Sequence, residues 1–513
     1  MTSPDPQTPV PGASTSSASS DSASLSPSSS AASALDYGLL SPGRAGSRVE
    51  AETGDGAYLE ALLDAEAALA RAQAGLGLIP AAAGEAVAVA AETARFDPRA
   101  LALAARRGGN PVIPLVGVLR EAVGAEHADA VHRGATSQDI MDTATMLVAD
   151  RARAVILGDL DRAAAALAVL ALRHRTTPMA ARTLTQQAVP TTFGLKAAGW
   201  RSLLLDAHDR LAALTLPAQL GGAAGTLAAL IPPTADPSGE DVGGDDAGKG
   251  EPAAVFDPSA GKARAVFDLV DRFAVETGLE VPDLPWHVLR TPVADLGSAL
   301  ALTAGALGKL AADVLLLGRV EIGELVQRGA GGGSSAMPHK ANPVDATLIA
   351  SAARQVPALV SVLYASMTAE DERPAGAWHA EWQTLRETLR QVGMAAELAA
   401  ELAEGLEGRP ERMARNLELS NGLVLTERLV GELEPLLGRR AAAELLTECA
   451  RTAAERRSPL LDVLIATPDI STLIDEVKLT ADRLAELLNP AGYLGAAPEL
   501  VDHALSRQPG SGR

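Results

Sequence analysis

One cysteine, Cys449, stands in 513 residues, so no intramolecular disulfide framework and no Cys-rich zinc or iron–sulfur site can form. The eight histidines are scattered without an HExxH-type cluster, so no metal is signalled and no cofactor is expected. Aromatics are sparse, at 4 Trp, 4 Tyr and 5 Phe, which leaves little for a base-stacking platform. Positive charge is also short: 44 Lys and Arg stand against 64 Asp and Glu, a net charge of −20. Phosphate affinity comes from Lys and Arg, so a general nucleic-acid binder is excluded. An anionic small substrate is not, because a site can be locally positive. No apolar run approaching a bilayer span of roughly 20 residues stands out, and the N-terminus lacks a basic-then-apolar leader pattern. The expectation is a soluble cytoplasmic protein with no nucleic-acid or membrane partner.

What is present is mostly alanine and leucine. Apolar residues make up 47% and charged residues 21%, an ordinary globular composition, and the length suggests two or three domains. Residues 1–34 are Ser, Ala, Thr and Pro without Lys or Arg, which predicts a disordered tail. Residues 232–262 hold seven acids, two lysines and many Gly and Pro, which predicts a disordered surface insertion. The rest reads as helix, because Val/Ile-rich alternation is missing. Asp139 to His174 would span about 54 Å as one helix. Its Ile140, Thr143, Ala144, Leu147, Arg151, Ala154 and Leu157 recur at three-to-four spacing and mark a largely apolar stripe. Val293–Gln327, Thr192–Leu214, Pro343–Met367 and Trp378–Leu406 add four more long helical stretches. Such helices must pack along one another, within the chain or across subunits. The expected fold is all-α, with a helical N-terminal domain at 35–134, a central long-helix bundle at 135–385 and a helical C-terminal domain at 386–507.

The chemistry concentrates in Gly331-Gly-Gly-Ser-Ser-Ala-Met-Pro-His-Lys-Ala-Asn-Pro343. Three successive glycines predict a loop within 330–343, and Pro343 suits the first turn of a following helix. Loop amides, the Lys340 cation and the Asn342 amide could together hold a carboxylate or an enolate-like oxyanion. A serine there could carry a proton or attack as a nucleophile. The pattern is neither a phosphate loop, which needs GxxxxGK[ST], nor a GxSxG elbow. A plain linker between two helices is the bland alternative.

Gly333 to Pro343 resembles the GSSxMPxKxNP signature of the fumarase/aspartase superfamily. Two further segments agree. His132-Arg-Gly-Ala-Thr-Ser-Gln-Asp139 is similar to the family's first conserved region, and Arg182-Thr-Leu-Thr-Gln-Gln-Ala-Val-Pro-Thr-Thr-Phe-Gly194 to its second. The runs Gln219–Leu230, Leu284–His287, Glu372–Trp382 and Leu488–Leu494 are similar to its 3-carboxy-cis,cis-muconate cycloisomerase branch. The likeness extends over about 35–505.

The resemblance implies a homotetramer with a core of long helices and active sites shared between subunits. It implies lactonisation of a small tricarboxylate, 3-carboxy-cis,cis-muconate, to 4-carboxymuconolactone in protocatechuate breakdown. Ser334 would carry the proton, and Lys340 and Asn342 would stabilise an aci-carboxylate. Thr136, Ser137, Gln138, Gln187, Ser335 and Met337 would bind substrate. Helix capping by Thr136 or Ser137 is the structural alternative at the first region. In the adenylosuccinate and argininosuccinate lyases a histidine stands where this chain has Leu184, and leucine transfers no proton. That departure favours the cycloisomerase over its alternative, a β-elimination lyase releasing fumarate; a non-catalytic helical scaffold is the remaining alternative. His339 reads as a supporting residue, Trp378, His379 and Trp382 as packing, and Cys449 as a small buried apolar residue. Arg133 and Arg373 could attract an anion, and Lys196 lies beside the second region.

Overall fold

The computed structural model describes residues 37–230, 258–328, 332–333, 337, 340–476 and 478–510. The 1–34 tail and most of the 232–262 stretch lie outside them. Five helices open the described chain: α1 Arg48–Thr53, α2 Asp55–Gly75, α3 Ala81–Thr93, α4 Pro98–Ala105 and α5 Val112–Val123. Leu62, Leu69, Val87, Leu115 and Leu119 from this group share a core with Ile140 and Val148. The N-terminal helices therefore pack on the start of the long helix that follows.

That helix, α6, runs Ser137–Arg173, starting two residues before the expected Asp139–His174 and ending one residue short of it. Next come α7 Phe193–Ala212, α8 Pro258–Thr277, α9 Thr291–Leu317, α10 Val344–Ala365 and α11 Ala377–Gly405. The expected long helices are thus present, with one trimmed. The Val293–Gln327 stretch stops at Leu317, because Gly318 closes α9 and a short strand follows. α8 begins at Pro258, inside the stretch expected to be an insertion. α10 continues through Pro357, which removes one helix N–H without ending the helix.

The main core joins Ile156, Leu160 and Leu167 of α6 to Leu204 of α7, Leu300 and Leu307 of α9, Val356 of α10 and Leu389 of α11. Each such buried side chain contributes about 1.5–3 kcal/mol of burial. α9 and α10 are long and apolar enough to cross a membrane by length and composition, contrary to the sequence reading. Both are built into this bundle, and α9 carries Asp295, Lys309 and Asp313. A third core, with Leu429, Leu446, Cys449, Leu464 and Leu484, organises the C-terminal helices. Cys449 is buried there, as expected.

The expectation of helix alone misses a hairpin. Strand β1, Pro178–Thr183, pairs antiparallel with β2, Gln186–Thr192. Pro178 and Pro190 oppose helix, and Thr183, Val189, Thr191 and Thr192 suit a pleated strand. The two turn residues, Leu184 and Thr185, both have positive φ, 48° and 69°. This is the backbone of a tight mirror-image turn, filled here by residues other than glycine. Four short strands complete the same end. β3, Leu325–Gln327, pairs with β6, Leu406–Gly408, and β4, Gly332–Gly333, with β5, Ala341–Asn342.

Candidate functional site

The first conserved-region segment sits where α6 begins. Thr136 is its N-cap in a capping box, and Asp139 Oδ2 accepts the Thr136 N–H at 2.9 Å. The capping alternative is therefore realised. The Asp139 carboxylate is fully buried and also accepts the Gly221 and Gly222 amides at 2.8 and 3.0 Å. His287 Nε2 lies 2.7 Å from Asp139 Oδ1. A Cβ on Gly221 would come within 2.8 Å of His287 and Pro285, so the close wrap needs glycine there.

Gln138 is buried and its amide is engaged inside the protein. Nε2 donates to the His287 carbonyl at 2.9 Å and to Asp142 at 3.2 Å, while Oε1 accepts from Arg373 Nε at 3.1 Å. This arrangement makes Gln138 a brace. Thr136 and Ser137, half-buried at the helix start, are the remaining members of the expected carboxylate-binding trio. Arg373 is tied to this brace, whereas Arg133 is exposed.

Below the first turn lies a buried charge network that the sequence reading missed. Arg290 donates to Asp142 Oδ2 at 2.7 Å and to Glu381 Oε2 at 2.5 Å, and sits over the Trp286 ring. Trp378 Nε1 donates to Asp142 Oδ1 at 2.9 Å. Burial disfavours the Arg290 cation, but the two carboxylates outweigh it and raise its pKa above the ordinary value. Burial pushes Glu381 upward against the pull of Arg290. Trp378 is thus packing with a polar anchor, while His379 is exposed and stacks near Trp382. The sequence signal for this network was present as Asp142, five residues after Ser137 on one helix, and as the clustered Trp286-His287 and Trp378–Trp382.

The other motifs gather where α6 ends. Arg182 of β1 binds both oxygens of buried Glu324, at 2.9 and 2.7 Å. Asn416, in α12 (Pro410–Glu418), donates to Glu324 at 2.7 Å and accepts from Gln187 Nε2 at 2.8 Å. Leu184 stands at the hairpin tip, 95% exposed. Lys196, half-buried in the first turns of α7, has its ammonium pKa lowered by burial, against the opposing charge of Asp313. The loop itself is bracketed by the β4–β5 pair, which sets Gly332 opposite Asn342 and Gly333 opposite Ala341. The Lys340 N–H donates to the Met337 carbonyl at 3.0 Å. Lys340 and Met337 are exposed and Asn342 is half-buried. Asn342 borders a cavity of about 110 Å³ with Val314, Gly318 and Gln327. Ser334, Ser335 and His339 lie outside the described residues.

These two groups stand at opposite ends of the bundle. Arg290, just before α9, grips Asp142 near the start of α6. Glu324, beyond the end of α9, grips Arg182 beyond the end of α6. The 37 residues of α6 between them span about 55 Å. One chain therefore brings Gln187, Lys340 and Asn342 to one end and leaves Thr136, Ser137 and Gln138 at the other.

A family model described as Lyase matches residues 45–238 and 259–358, and one described as Adenylosuccinate lyase C-terminus matches 422–504. Nitrosuccinate lyase of Streptomyces davaonensis is 51% identical over 481 residues, covering 92% of this chain and 95% of that protein. The 3-carboxy-cis,cis-muconate cycloisomerase of Pseudomonas aeruginosa is 42% identical over 460 residues, covering 88% and 92%. The solved structure of the 3-carboxy-cis,cis-muconate lactonizing enzyme from Pseudomonas putida matches with a TM-score of 0.78 at 38% identity, covering 89% of this chain and 96% of that one.

Proposed function

The chain belongs to the fumarase/aspartase superfamily, and from that membership we propose an enzyme that makes or breaks a bond β to a carboxylate when the departing group leaves as a stable anion. The observation that carries this reading is Leu184. It occupies the hairpin position at which amine-releasing relatives carry a histidine, and it has no proton to give. Release of an amine or hydroxide needs that proton. Release of a carboxylate or of nitrite does not.

The first specific reaction is lactonisation of 3-carboxy-cis,cis-muconate, a step of protocatechuate breakdown. A substrate carboxylate oxygen adds to the carbon β to a second carboxylate. The electron pair moves onto that second carboxylate as an aci-carboxylate, and the α carbon then takes a proton from Ser334. Lys340, Asn342 and amides of the glycine loop would hold the extra negative charge. Thr136 and Ser137 would hold another carboxylate, with Gln138 bracing them. Gln187, Ser335 and Met337 would complete the walls. The separation of the two groups along α6 supports a site assembled from several copies, as in a homotetramer.

The identity to nitrosuccinate lyase favours a second reading on the same atoms. Ser334 would take a proton from the carbon next to a carboxylate, and the aci-carboxylate would collapse as the C–N bond breaks. Nitrite would leave with the bonding pair, and fumarate would remain. Leu184 then argues against amine release only, and no longer against elimination as such.

Purified protein assayed side by side with 3-carboxy-cis,cis-muconate, nitrosuccinate and adenylosuccinate decides. Loss of the conjugated diene with lactone formed supports the first reading, and equimolar nitrite and fumarate the second. Turnover of adenylosuccinate alone would overturn both.

A further inference from the structure

The β1–β2 ladder closes Thr183 against Gln186, so Leu184 and Thr185 make a two-residue turn. Their φ values of 48° and 69° lie in the left-handed region, where a side chain crowds the backbone. Such a turn ordinarily takes Asn-Gly or Asp-Gly. A β-branched residue there is a genuine outlier, and Thr185 is one. At the same point Leu184 is left 95% exposed. Neither residue serves the fold, since glycine at 185 would relieve the backbone and a polar residue at 184 would suit water. Strain of this kind persists where the side chains themselves are used. The hairpin is also a stiff arm. Arg182 and Gln187 face each other across the ladder below the tip, and each is tied down. Arg182 binds both oxygens of buried Glu324, and Gln187 Nε2 donates to the Asn416 carbonyl at 2.8 Å. Thr185 is exposed on this fixed tip. Its Oγ1 accepts from Gln186 Nε2 at 3.4 Å, and among the described residues no acceptor takes its own hydrogen.

We propose that Thr185 is a further catalytic residue, whose hydroxyl donates a hydrogen bond to the departing anion. The proposal rests on the reading that this group leaves as an anion. In elimination of a nitro group the C–N bond breaks and its electron pair leaves with nitrite. In opening of the lactone the C–O bond breaks and the pair stays on the carboxylate oxygen. Both anions carry their charge on oxygen, which accepts from a hydroxyl. No proton changes hands at Thr185, because an aliphatic hydroxyl donates a hydrogen bond without ionising. The proton of the reaction moves at Ser334 only. Leu184, beside Thr185, keeps water from the same oxygens, so the anion is held by a fixed donor and not by mobile solvent. In lactone formation the same bond holds the attacking carboxylate. A histidine at position 184 would deliver a proton; the Leu184-Thr185 pair supplies a hydrogen bond in its place.

The test is steady-state kinetics and urea unfolding of the full chain, with whichever of 3-carboxy-cis,cis-muconate and nitrosuccinate the wild type turns over. Thr185→Val keeps the shape and removes the hydroxyl, so kcat should fall about 10–100-fold, the worth of one hydrogen bond to a charged group. Thr185→Ser should keep most of the rate. Thr185→Gly should lose the rate as Thr185→Val does and yet unfold at a higher urea concentration than the wild type, because its backbone is relieved. A Thr185→Val kcat within about twofold of wild type overturns the proposal. So does a loss of rate that comes with a changed oligomer by light scattering, which marks a packing role. A lower urea midpoint for Thr185→Gly overturns it as well, since the side chain would then serve the fold. A wild type that turns over adenylosuccinate alone sinks the underlying reading and this role with it. A wild type active on muconate or nitrosuccinate beside an unimpaired Thr185→Val sinks this role only.

Discussion

Lys340 and Arg290 are both cations, and the structure separates their work. Lys340 is exposed, and among the described residues it makes no ion pair that holds the fold. Lys340→Met should therefore melt as wild type does and lose activity through transition-state stabilisation worth about 2.7–4 kcal/mol, a fall of roughly 10²–10³ in kcat. Steady-state kinetics beside a thermal melt check this, and a near-normal kcat removes Lys340 from the charge-stabilising role. Arg290 is buried between Asp142 and Glu381. Arg290→Met leaves two buried carboxylates unpaired, so the expected loss is in stability, about 3–5 kcal/mol by urea unfolding. A loss below about 1 kcal/mol would mean that water reaches the pair. The first cation was legible in the sequence because it lies in a motif whose spacing carries chemistry. The second was not, because Arg290, Asp142 and Glu381 lie far apart in the chain, and only the parallel run of α6 and α9 beside α11 joins them.

At the scale of elements, the start of α6 and the chain's end make testable contrasts. Gly221→Ala places a methyl within 2.8 Å of two neighbours, which should cost about 1–3 kcal/mol and loosen the two amides on Asp139. Urea unfolding measures the loss, and a neutral result would show that the 219–222 strand of chain can shift. The last helix, Ala497–Ser506, and the segment after it are fastened to α7 by Arg507 on Asp206 and Asp209, each at 2.7 Å. Burial raises the Asp209 pKa, but Arg507, the Gly510 amide and His208 outweigh it and leave it at about 2. A depressed carboxyl gives stability that is complete above its unfolded pKa, near 3.9, and is lost as pH falls through about 2. Asp209→Asn should accordingly be destabilised at pH 6, with the gap to wild type closing below about pH 4. A gap that stays constant from pH 6 to 3 would exclude that linkage. The long helices were legible because alanine and leucine at helical spacing dominate them. The hairpin was not, since its strands are short and its turn uses Leu184 and Thr185 in a conformation that sequence reading assigns to glycine or asparagine.

For the whole molecule, the length of α6 decides which groups can share a site. A rigid bundle holds Thr136 and Ser137 about 55 Å of helix away from the end that carries Lys340 and Asn342. No side chain bridges that distance, and loop closure over a few residues cannot either. If both groups act on one substrate, the second group comes from another copy laid antiparallel along the first. A variant damaged at one end and a variant damaged at the other should then repair each other. Thr136→Val and Lys340→Met are each expected to be poorly active alone. Unfolded together, refolded and shown by native mass spectrometry to form mixed oligomers, they should regain activity well above either parent, because some sites then draw an intact residue from each chain. Mixing without refolding should give no such gain if the assembly does not exchange. Mixed oligomers that stay as inactive as their parents would mean that the two ends do not meet across copies, and the shared-site reading would fall with them.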